Sequence, residues 1–160
     1  MSERIEVNSA AAIMAYWKDG KPLHSNRDVC GSPTNQTPSL EKQFASVVAN
    51  PPWYVPASIA RNEILPKGPG YLRANNMFIT ESGNVVQRAG PTAALGYVKF
   101  ELRDSYAIFL HDTPTKAAFN LAMRQRSHGC VRVQDAVEFA RLLLSPDPTL
   151  LARFDEAQDT

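Results

Sequence analysis

Two segments of the chain carry side chains suited to covalent chemistry. An apolar run over residues 106–110 ends at His111. After fifteen intervening residues comes the segment Ser127-His128-Gly129-Cys130-Val131-Arg132. A cysteine thiolate attacks carbonyl carbon, and a nearby imidazole can hold the thiol as a thiolate–imidazolium pair. We therefore predict that Cys130 is a nucleophile that attacks a carbonyl group.

The residues next to Cys130 bear on this prediction. Gly129 permits backbone conformations closed to other residues and lets a substrate approach closely. We expect Cys130 to lie just before a helix start, where N–H groups and the helix dipole favour a thiolate and bind a developing oxyanion. A structural interpretation stays open, with His111 as a strand-end histidine, His128 as a loop residue and Cys130 as an inert thiol.

The second cysteine, Cys30, has a different setting. It lies in Asp28-Val29-Cys30-Gly31 and continues the pattern of a strand. Such a cysteine ordinarily acts as a small buried hydrophobe. We predict that Cys30 is buried, reduced and without a catalytic role, although the sequence leaves open a disulfide with Cys130. The spacing of the cysteines, the three histidines and the aspartates matches no metal-ligand pattern, so no metal is implied.

These residues must be positioned by short strands joined by turns. Twelve prolines and eight glycines are scattered among short apolar stretches. The patterns predict strands near residues 5–8 and 12–17, around a turn at Asp19-Gly20. Further strands are predicted at residues 44–48, 96–102 and 106–110.

Proline and helical patterns predict the remaining elements. Three prolines within residues 51–56 argue against regular structure there, and a short helix over 57–65 should end before Pro66. Residues 67–92 are rich in Gly and Asn and predict a surface excursion. An apolar face beginning at Asp135 predicts a helix that Pro146 ends, with Asp135 and Glu138 as a capping box.

Length, composition and charge limit the classes of protein. With 160 residues, 44% of them apolar and 21% charged, one globular domain is expected. A net charge of +1 gives no electrostatic footprint for nucleic acid or an anionic membrane. No apolar run approaches the roughly 20 residues of a membrane span. The start Met1-Ser2-Glu3-Arg4 has no apolar stretch, so we expect no secretory signal in this chain.

Taken together, the motifs resemble a known family. His111, its separation from Ser127 and the Ser-His-Gly-Cys box are similar to the signature of the L,D-transpeptidase (YkuD-type) catalytic domain. The resemblance spans most of the chain and includes residues 50–61, 95–100 and 111–114. It implies one catalytic domain over residues 1–160, mainly β, a mixed β-barrel or sandwich with a few short helices and one C-terminal helix. The extra blocks resemble a Gram-negative branch with a capping subdomain, of which residues 67–92 would be a shortened version.

The resemblance assigns the two central roles. It implies that Cys130 attacks the carbonyl of the third residue, a diamino acid, of a peptidoglycan tetrapeptide stem and expels the terminal D-Ala. His111 becomes the general base, its imidazole oriented by a backbone carbonyl. Asp112 is expected to form a turn and to take no part in a charge relay. His128 is the second candidate for the base.

Supporting roles also follow from the resemblance. The backbone N–H groups of Gly129 and Cys130 are expected to form an oxyanion hole that His128 helps to shape. Ser127 would support this loop by hydrogen bonding. Arg132 would pair with a substrate carboxylate. Trp53 and Tyr54 would wall the groove, with plain packing beside the prolines as the alternative.

The activity implied is acyl transfer without a cofactor in the bacterial envelope. A stem-peptide amine as acceptor gives 3→3 cross-links, and a protein amine anchors an outer-membrane protein or lipoprotein to the wall. Water as acceptor gives an L,D-carboxypeptidase or an amidase instead. A non-catalytic peptidoglycan-binding domain is the third class. The substrate implies a periplasmic location, and the family implies acylation by carbapenems.

Overall fold

Two sheets and four helices make up the part of the chain described by the computed structural model, which is residues 3–39, 41–103 and 105–159. Within these ranges the strands are β1 (Glu3–Asn8), β2 (Ile13–Lys18), β3 (Lys21–Gly31), β4 (Phe44–Ala49), β5 (Trp53–Tyr54), β6 (Met77–Ile79), β7 (Val85–Gln87), β8 (Val98–Leu102), β9 (Ser105–His111), β10 (Gln125–Ser127) and β11 (Val131–Val133). The helices are α1 (Ala57–Ile59), α2 (Gly68–Ala74), α3 (Ala136–Leu144) and α4 (Pro148–Gln158), with a π-helical turn at Ala60–Ile64 and 3-10 turns at Leu65–Lys67 and Lys116–Asn120.

The larger sheet has the order β1-β2-β3-β11-β9-β8-β4, and β10 also pairs with β3. The pairing of β9 with β11 is parallel, whereas β11 runs antiparallel to β3 and β9 runs antiparallel to β8. The smaller sheet has the order β5-β7-β6. The predicted mainly β fold is therefore confirmed.

The first hairpin shows how turn chemistry sets a register. Asp19 and Gly20 both adopt positive φ, 51° and 79°. These angles suit a two-residue turn whose twist matches that of the flanking strands. The turn places Lys18 opposite Lys21, as the Asp-Gly pair predicts.

One face of the larger sheet packs against α3. Its core contains Met14, Phe100, Val133 and Phe139, all with negligible exposure, and Cys30 lies among them. Burial raises the pKa of Cys30 to about 12. Cys30 and Cys130 are not bridged. The prediction that Cys30 is buried and reduced is confirmed.

The region from β5 to β7 departs from the sequence prediction. β5 is a two-residue strand within the proline-rich segment, where no regular structure was expected. Helical structure continues past Pro66, which occupies the first turn of Leu65–Lys67, a position that requires no donated N–H. Residues 67–92 contain α2, β6 and β7 and are not a plain surface excursion.

This region forms a unit with its own apolar core. Val55, Ile64, Leu72, Met77 and Val85 pack together there, apart from the core under the larger sheet. The unit begins at β5, so it extends further upstream than the capping segment expected at residues 67–92.

The C-terminal helices differ in how they begin. α3 is confirmed, but Asp135 has left-handed φ and ψ of 52° and 43° and its side chain makes no cap hydrogen bond, so the predicted capping box is wrong. α4 is a further helix that was not predicted from the sequence. Its signal is Asp147-Pro148, where the Asp147 carboxylate accepts the N–H groups of Thr149 and Leu150. No helix among the described residues combines the length and apolar character needed to cross a bilayer.

Candidate active site

Two adjacent parallel strands bring the predicted nucleophile and base together. Val131 of β11 lies opposite Leu110 of β9, and Arg132 lies opposite His111. Leu110 and Val131 face the core. Because side chains alternate along a strand, His111 and Arg132 share the other face. Cys130 immediately precedes β11, and its thiol is hydrogen-bonded to the backbone of Phe109, two residues before His111.

The local environment of Cys130 differs from the expected helix start. Cys130 leads into β11, and α3 begins only at Ala136, so Cys130 does not lie at the start of that helix. Burial raises the pKa of the Cys130 thiol. The hydrogen bond from Phe109 and the positive charges of Lys99 and Arg132 act in the opposite direction.

His111 is buried and held in one tautomer. Its Nδ1 is hydrogen-bonded to the backbone carbonyl of Asp112, as expected for a ring oriented by a carbonyl. A carbonyl oxygen can only accept, so Nδ1 carries the proton and Nε2 keeps its lone pair. Burial is the main reason that the pKa of His111 falls to about 4. The resting site therefore favours a neutral imidazole and a neutral thiol over the thiolate–imidazolium pair expected from sequence.

Asp112 is a structural residue, as predicted. Its carboxylate accepts the N–H of Tyr97 at 2.9 Å and pairs with Lys116. Gly96 adopts a φ of 62°, and a Cβ there would lie 2.4 Å from Asp112 Oδ2. The close approach ties the end of β9 to the turn before β8 and thereby fixes the carbonyl that orients His111.

The loop that carries Cys130 is braced by two hydroxyl groups. Ser127 Oγ donates to the carbonyl of Cys130 at 2.6 Å and accepts the N–H of Gly129 at 3.1 Å. Thr37 Oγ1 donates to the carbonyl of Gly129 at 2.8 Å and accepts the N–H of Gly31 at 2.9 Å. Gly129 has a φ of 127°, which disfavours any side chain at this position.

One of these bonds involves an N–H group that was expected to form the oxyanion hole. The N–H of Gly129 is already donated to Ser127, so in this conformation it is not directed at an oxyanion. The support that Ser127 was expected to give the loop is present in its two hydrogen bonds.

His128 contacts the unit built on the smaller sheet. Its Nε2 lies 2.8 Å from Glu63 Oε2, and the two side chains are 47% and 50% exposed. This pairing directs His128 toward the π-helical turn. His111 is therefore the better candidate for the base.

A cavity of about 330 Å³ lies between that unit and the loops around the site. Trp53, Glu63 and Lys67 line it on one side, and His128 and Arg132 line it on the other, together with residues 113–115. Tyr54 does not line the cavity and is 70% exposed, so its expected place in the groove wall is not supported.

Arg132 contributes a half-buried positive charge to the cavity. Burial and the nearby Arg126 lower its pKa. Among the ion pairs of the described residues, none involves Arg132.

Three residues of the site were not singled out by sequence reasoning, namely Thr37, Glu63 and Lys99. Lys99 lies opposite His111 across the β8–β9 pair. The sequence predicted the strand that contains Lys99, but it did not show that this strand lies beside the one that ends at His111. Thr37 and Glu63 reach the loop from segments far away in sequence. Within the described ranges, no three His, Cys, Asp or Glu side chains are grouped to hold a metal ion.

Comparisons with known proteins agree on one family. The family model of the L,D-transpeptidase catalytic domain matches residues 2–150. A curated protein of Haemophilus influenzae, named "Putative L,D-transpeptidase", is 33% identical over an alignment of 162 positions, which covers 88% of this chain and 33% of that protein. The chain thus spans about a third of the length of this curated relative.

Solved structures show the same fold at low identity. The NMR structure of the catalytic domain from the Enterococcus faecium L,D-transpeptidase has a TM-score of 0.53 at 18% identity, covering 90% of this chain and 91% of that one. The same domain acylated by ertapenem has a TM-score of 0.51 at 18% identity, covering 84% and 83%. L,D-transpeptidase 3 from Mycobacterium tuberculosis, in complex with a faropenem-derived adduct, has a TM-score of 0.52 at 14% identity, covering 83% and 52%.

Proposed function

Because the chain belongs to the L,D-transpeptidase catalytic-domain family, we propose that it is a cysteine acyltransferase that acts on peptidoglycan stem peptides in the bacterial envelope. The observation that carries the proposal is the β9–β11 register, which brings Cys130 beside the strand end that presents a buried, neutral His111. A nucleophile just before β11 and a base at the end of the adjacent strand β9 meet the first requirement of a thiol acyl transfer.

The first half-reaction acylates the enzyme. Cys130 Sγ attacks the carbonyl of the third stem residue while His111 Nε2 takes up the thiol proton. The C–N bond to the terminal D-Ala then breaks, and the imidazolium returns its proton to the departing amine. A thioester on Cys130 and free D-Ala result, with His111 neutral again.

The second half-reaction releases the product. An acceptor amine attacks the thioester carbonyl and gives its proton to His111 Nε2. The C–S bond breaks, and the thiolate that leaves is reprotonated by the imidazolium. A stem-peptide amine yields a 3→3 cross-link, a protein amine anchors that protein to the wall, and water yields a shortened stem.

Charges in the large cavity suit a peptide with free carboxylates and an amine. Arg132 and Lys67 are positive and Glu63 is negative, and all three line the cavity. A guanidinium matches a carboxylate in two-pronged geometry. We propose that the donor stem binds here with a carboxylate at Arg132 and the indole of Trp53 as an apolar wall.

The deciding experiment uses a disaccharide–tetrapeptide isolated from peptidoglycan. The protein is incubated with it, and the products are separated and weighed by mass spectrometry, with Cys130→Ala as the matched control. Dimers that have lost one D-Ala support transpeptidation, and tripeptide monomers indicate hydrolysis. A protein with a reduced Cys130 that yields neither product contradicts the proposal and leaves the non-catalytic binding domain.

A further inference from the structure

Lys99 places a largely buried positive charge on the catalytic face of the sheet. It lies on β8, directly opposite His111 in the β8–β9 register. Its side chain is 16% exposed. Its Nζ lies 4.6 Å from the centroid of the Phe109 ring, and that ring lies 5.7 Å from the ring of His111. An ammonium over an aromatic face is held by the ring quadrupole, so the charge has a defined position.

The charge of Lys99 is incompletely neutralised. Its ion-pair partner is Glu101, at 3.3 Å, and the Glu101 side chain is 42% exposed. Water screens such a carboxylate more than it screens the buried ammonium. Two other charged groups face the same residues. Arg132, on β11 at the other side of β9, also lowers the pKa of both Cys130 and His111, whereas the charge of Asp112, which follows β9, raises the pKa of His111.

Lys99 is separate from the large cavity. That cavity is lined by Arg132 and Lys67 but not by Lys99. A second cavity, of about 60 Å³, is lined by Lys99, Glu101 and Phe109 and has room for a few waters rather than for a stem peptide. The position of Lys99 therefore fits an effect on the reacting groups better than substrate binding.

We propose that Lys99 is a positioning residue of the active site: its ammonium, held over Phe109, stabilises the Cys130 thiolate as it forms and keeps His111 unprotonated before attack. This role rests on the proposed function, since it takes Cys130 as the nucleophile. Burial of Cys130 disfavours the charged thiolate, and the positive charge of Lys99 partly offsets this effect. A fixed charge that is in place before the reaction requires no reorganisation when the thiolate develops.

The directions of two pKa shifts agree with this role. The charge of Lys99 lowers the pKa of Cys130 and also lowers the pKa of His111. A residue that merely filled space would affect neither group through charge. Removing the charge should therefore raise both pKa values.

The test is alkylation of Cys130 by iodoacetamide, a neutral probe, in a Cys30→Ala background. The rate is followed by intact-protein mass spectrometry across pH. Lys99→Met should move the midpoint of the rate profile upward by about one pH unit, with roughly tenfold slower alkylation at neutral pH. Lys99→Arg, which keeps the charge, should restore the original midpoint. Lys18→Met removes the cation of an ion pair on the first hairpin, 3.6 Å from Glu3, and should leave the profile unchanged.

Each other result overturns the inference. An unchanged midpoint in a folded Lys99→Met protein shows that the charge does not act at the sulfur. A Lys99→Arg protein that behaves like Lys99→Met assigns the effect to packing. If Lys99→Met does not fold, Glu101→Gln serves instead. It removes the partly neutralising carboxylate and should lower the midpoint, and a midpoint that stays or rises contradicts the role.

Alkylation does not depend on the proposed function. A shifted alkylation profile in a protein that releases no D-Ala from a tetrapeptide stem sinks the proposed function and keeps the effect of Lys99 on the thiol. D-Ala release with an unshifted profile sinks the role of Lys99 and keeps the function.

Discussion

At His111, a backbone carbonyl decides which ring nitrogen can accept a proton. Asp112 takes the Nδ1–H, and its own carboxylate is committed to Tyr97 and Lys116. The carboxylate of Asp112 therefore holds neighbouring parts of the chain in place, and only the backbone carbonyl of Asp112 is hydrogen-bonded to the imidazole of His111. The base is oriented by the chain itself, which fits a site that keeps His111 neutral until the thiol proton arrives.

The neutral state of His111 predicts an unusually acidic limit for activity. The pKa of His111 is lowered to about 4, so Nε2 can accept a proton at any pH above that value. Carbapenem acylation should therefore persist as the pH falls through about 6.5, where an unperturbed histidine titrates, and decline only near pH 4. The measurement is the acylation rate against pH, with circular dichroism to confirm that the chain stays folded. A midpoint near that of free histidine would refute the assignment of a buried neutral base.

The nucleophile assignment predicts a covalent adduct at a single sulfur. The strained lactam carbonyl of a carbapenem mimics the donor carbonyl, so incubation should add the mass of one drug molecule to the intact protein. Cys130→Ala should abolish the adduct. Cys130→Ser should nearly do so, because a hydroxyl has a far higher pKa than a thiol. His111→Ala should slow acylation by roughly 100-fold or more.

Cys30 provides the matched control for this adduct. It is buried in the core and its pKa is raised to about 12, so Cys30→Ala should keep most of the acylation. A drug adduct that persists in Cys130→Ala would move the nucleophile elsewhere in the chain.

At the scale of elements, the loop between β10 and β11 depends on a hydroxyl from a distant segment. Thr37 binds both Gly31 and Gly129, and its replacement by Val keeps the shape but leaves an N–H and a carbonyl without their partner. Thr37→Val should lower the free energy of unfolding by about 1–2 kcal/mol. It should also slow carbapenem acylation, because the backbone next to Cys130 loses a restraint.

Thr34→Val is the control for this loop. Thr34 is exposed, and its contacts with Ser32 and Asn35 are long, at 3.4 Å. Its replacement should change neither acylation nor stability measurably. Denaturant unfolding and acylation rates measured on both variants decide the matter, and equal effects of the two substitutions would show that Thr37 has no special role.

Elements with strong local signals were predictable from sequence, and those determined by tertiary contacts were not. The Asp19-Gly20 turn, the apolar run that ends at His111 and the apolar face of α3 each carry their pattern within a few residues. The helical run through Pro66 and the small sheet of residues 53–87 were missed, because each short piece is stabilised by the shared core of the unit. The capping box failed because Asp135 adopts a left-handed conformation that turns the chain into α3.

The candidate site divides in the same way. Cys130, His111 and Ser127 were identified from one motif and one spacing. Lys99 required the strand order, and Thr37 and Glu63 required the tertiary fold, since their partners lie on other segments. The hydrogen bond that Gly129 N–H donates to Ser127 in this conformation also depends on the folded loop, and the oxyanion role of that N–H stays a prediction.

At the scale of the whole molecule, the larger sheet positions the candidate nucleophile and base, and the smaller unit supplies one wall of the cavity. The two meet at the pair of His128 and Glu63, each about half exposed. Such an exposed pair contributes at most about 1 kcal/mol, so it guides contact between the units rather than locking them together. The larger sheet also holds a buried carboxyl group, that of Asp28, and burial of a carboxylate is unfavourable.

Asp28 predicts how the stability of the whole chain depends on pH. Its carboxyl is buried in β3 beside Cys30, and among the described residues neither of its oxygens has a hydrogen-bond partner. Burial raises its pKa to about 8 against the opposing charge of Arg124. In the unfolded chain the pKa of an aspartate is about 3.9. Between about pH 4 and pH 8 the folded chain therefore holds a proton that the unfolded chain releases. Stability should therefore fall as the pH rises through this window.

Asp28→Asn removes the titration, so its melting temperature should exceed that of the unchanged protein at pH 8 and the gap should narrow toward pH 4. Asp19→Asn, in the exposed first turn, should follow the unchanged protein at every pH, and a gap for Asp28→Asn that does not vary with pH would show that this carboxyl is not protonated in the folded chain.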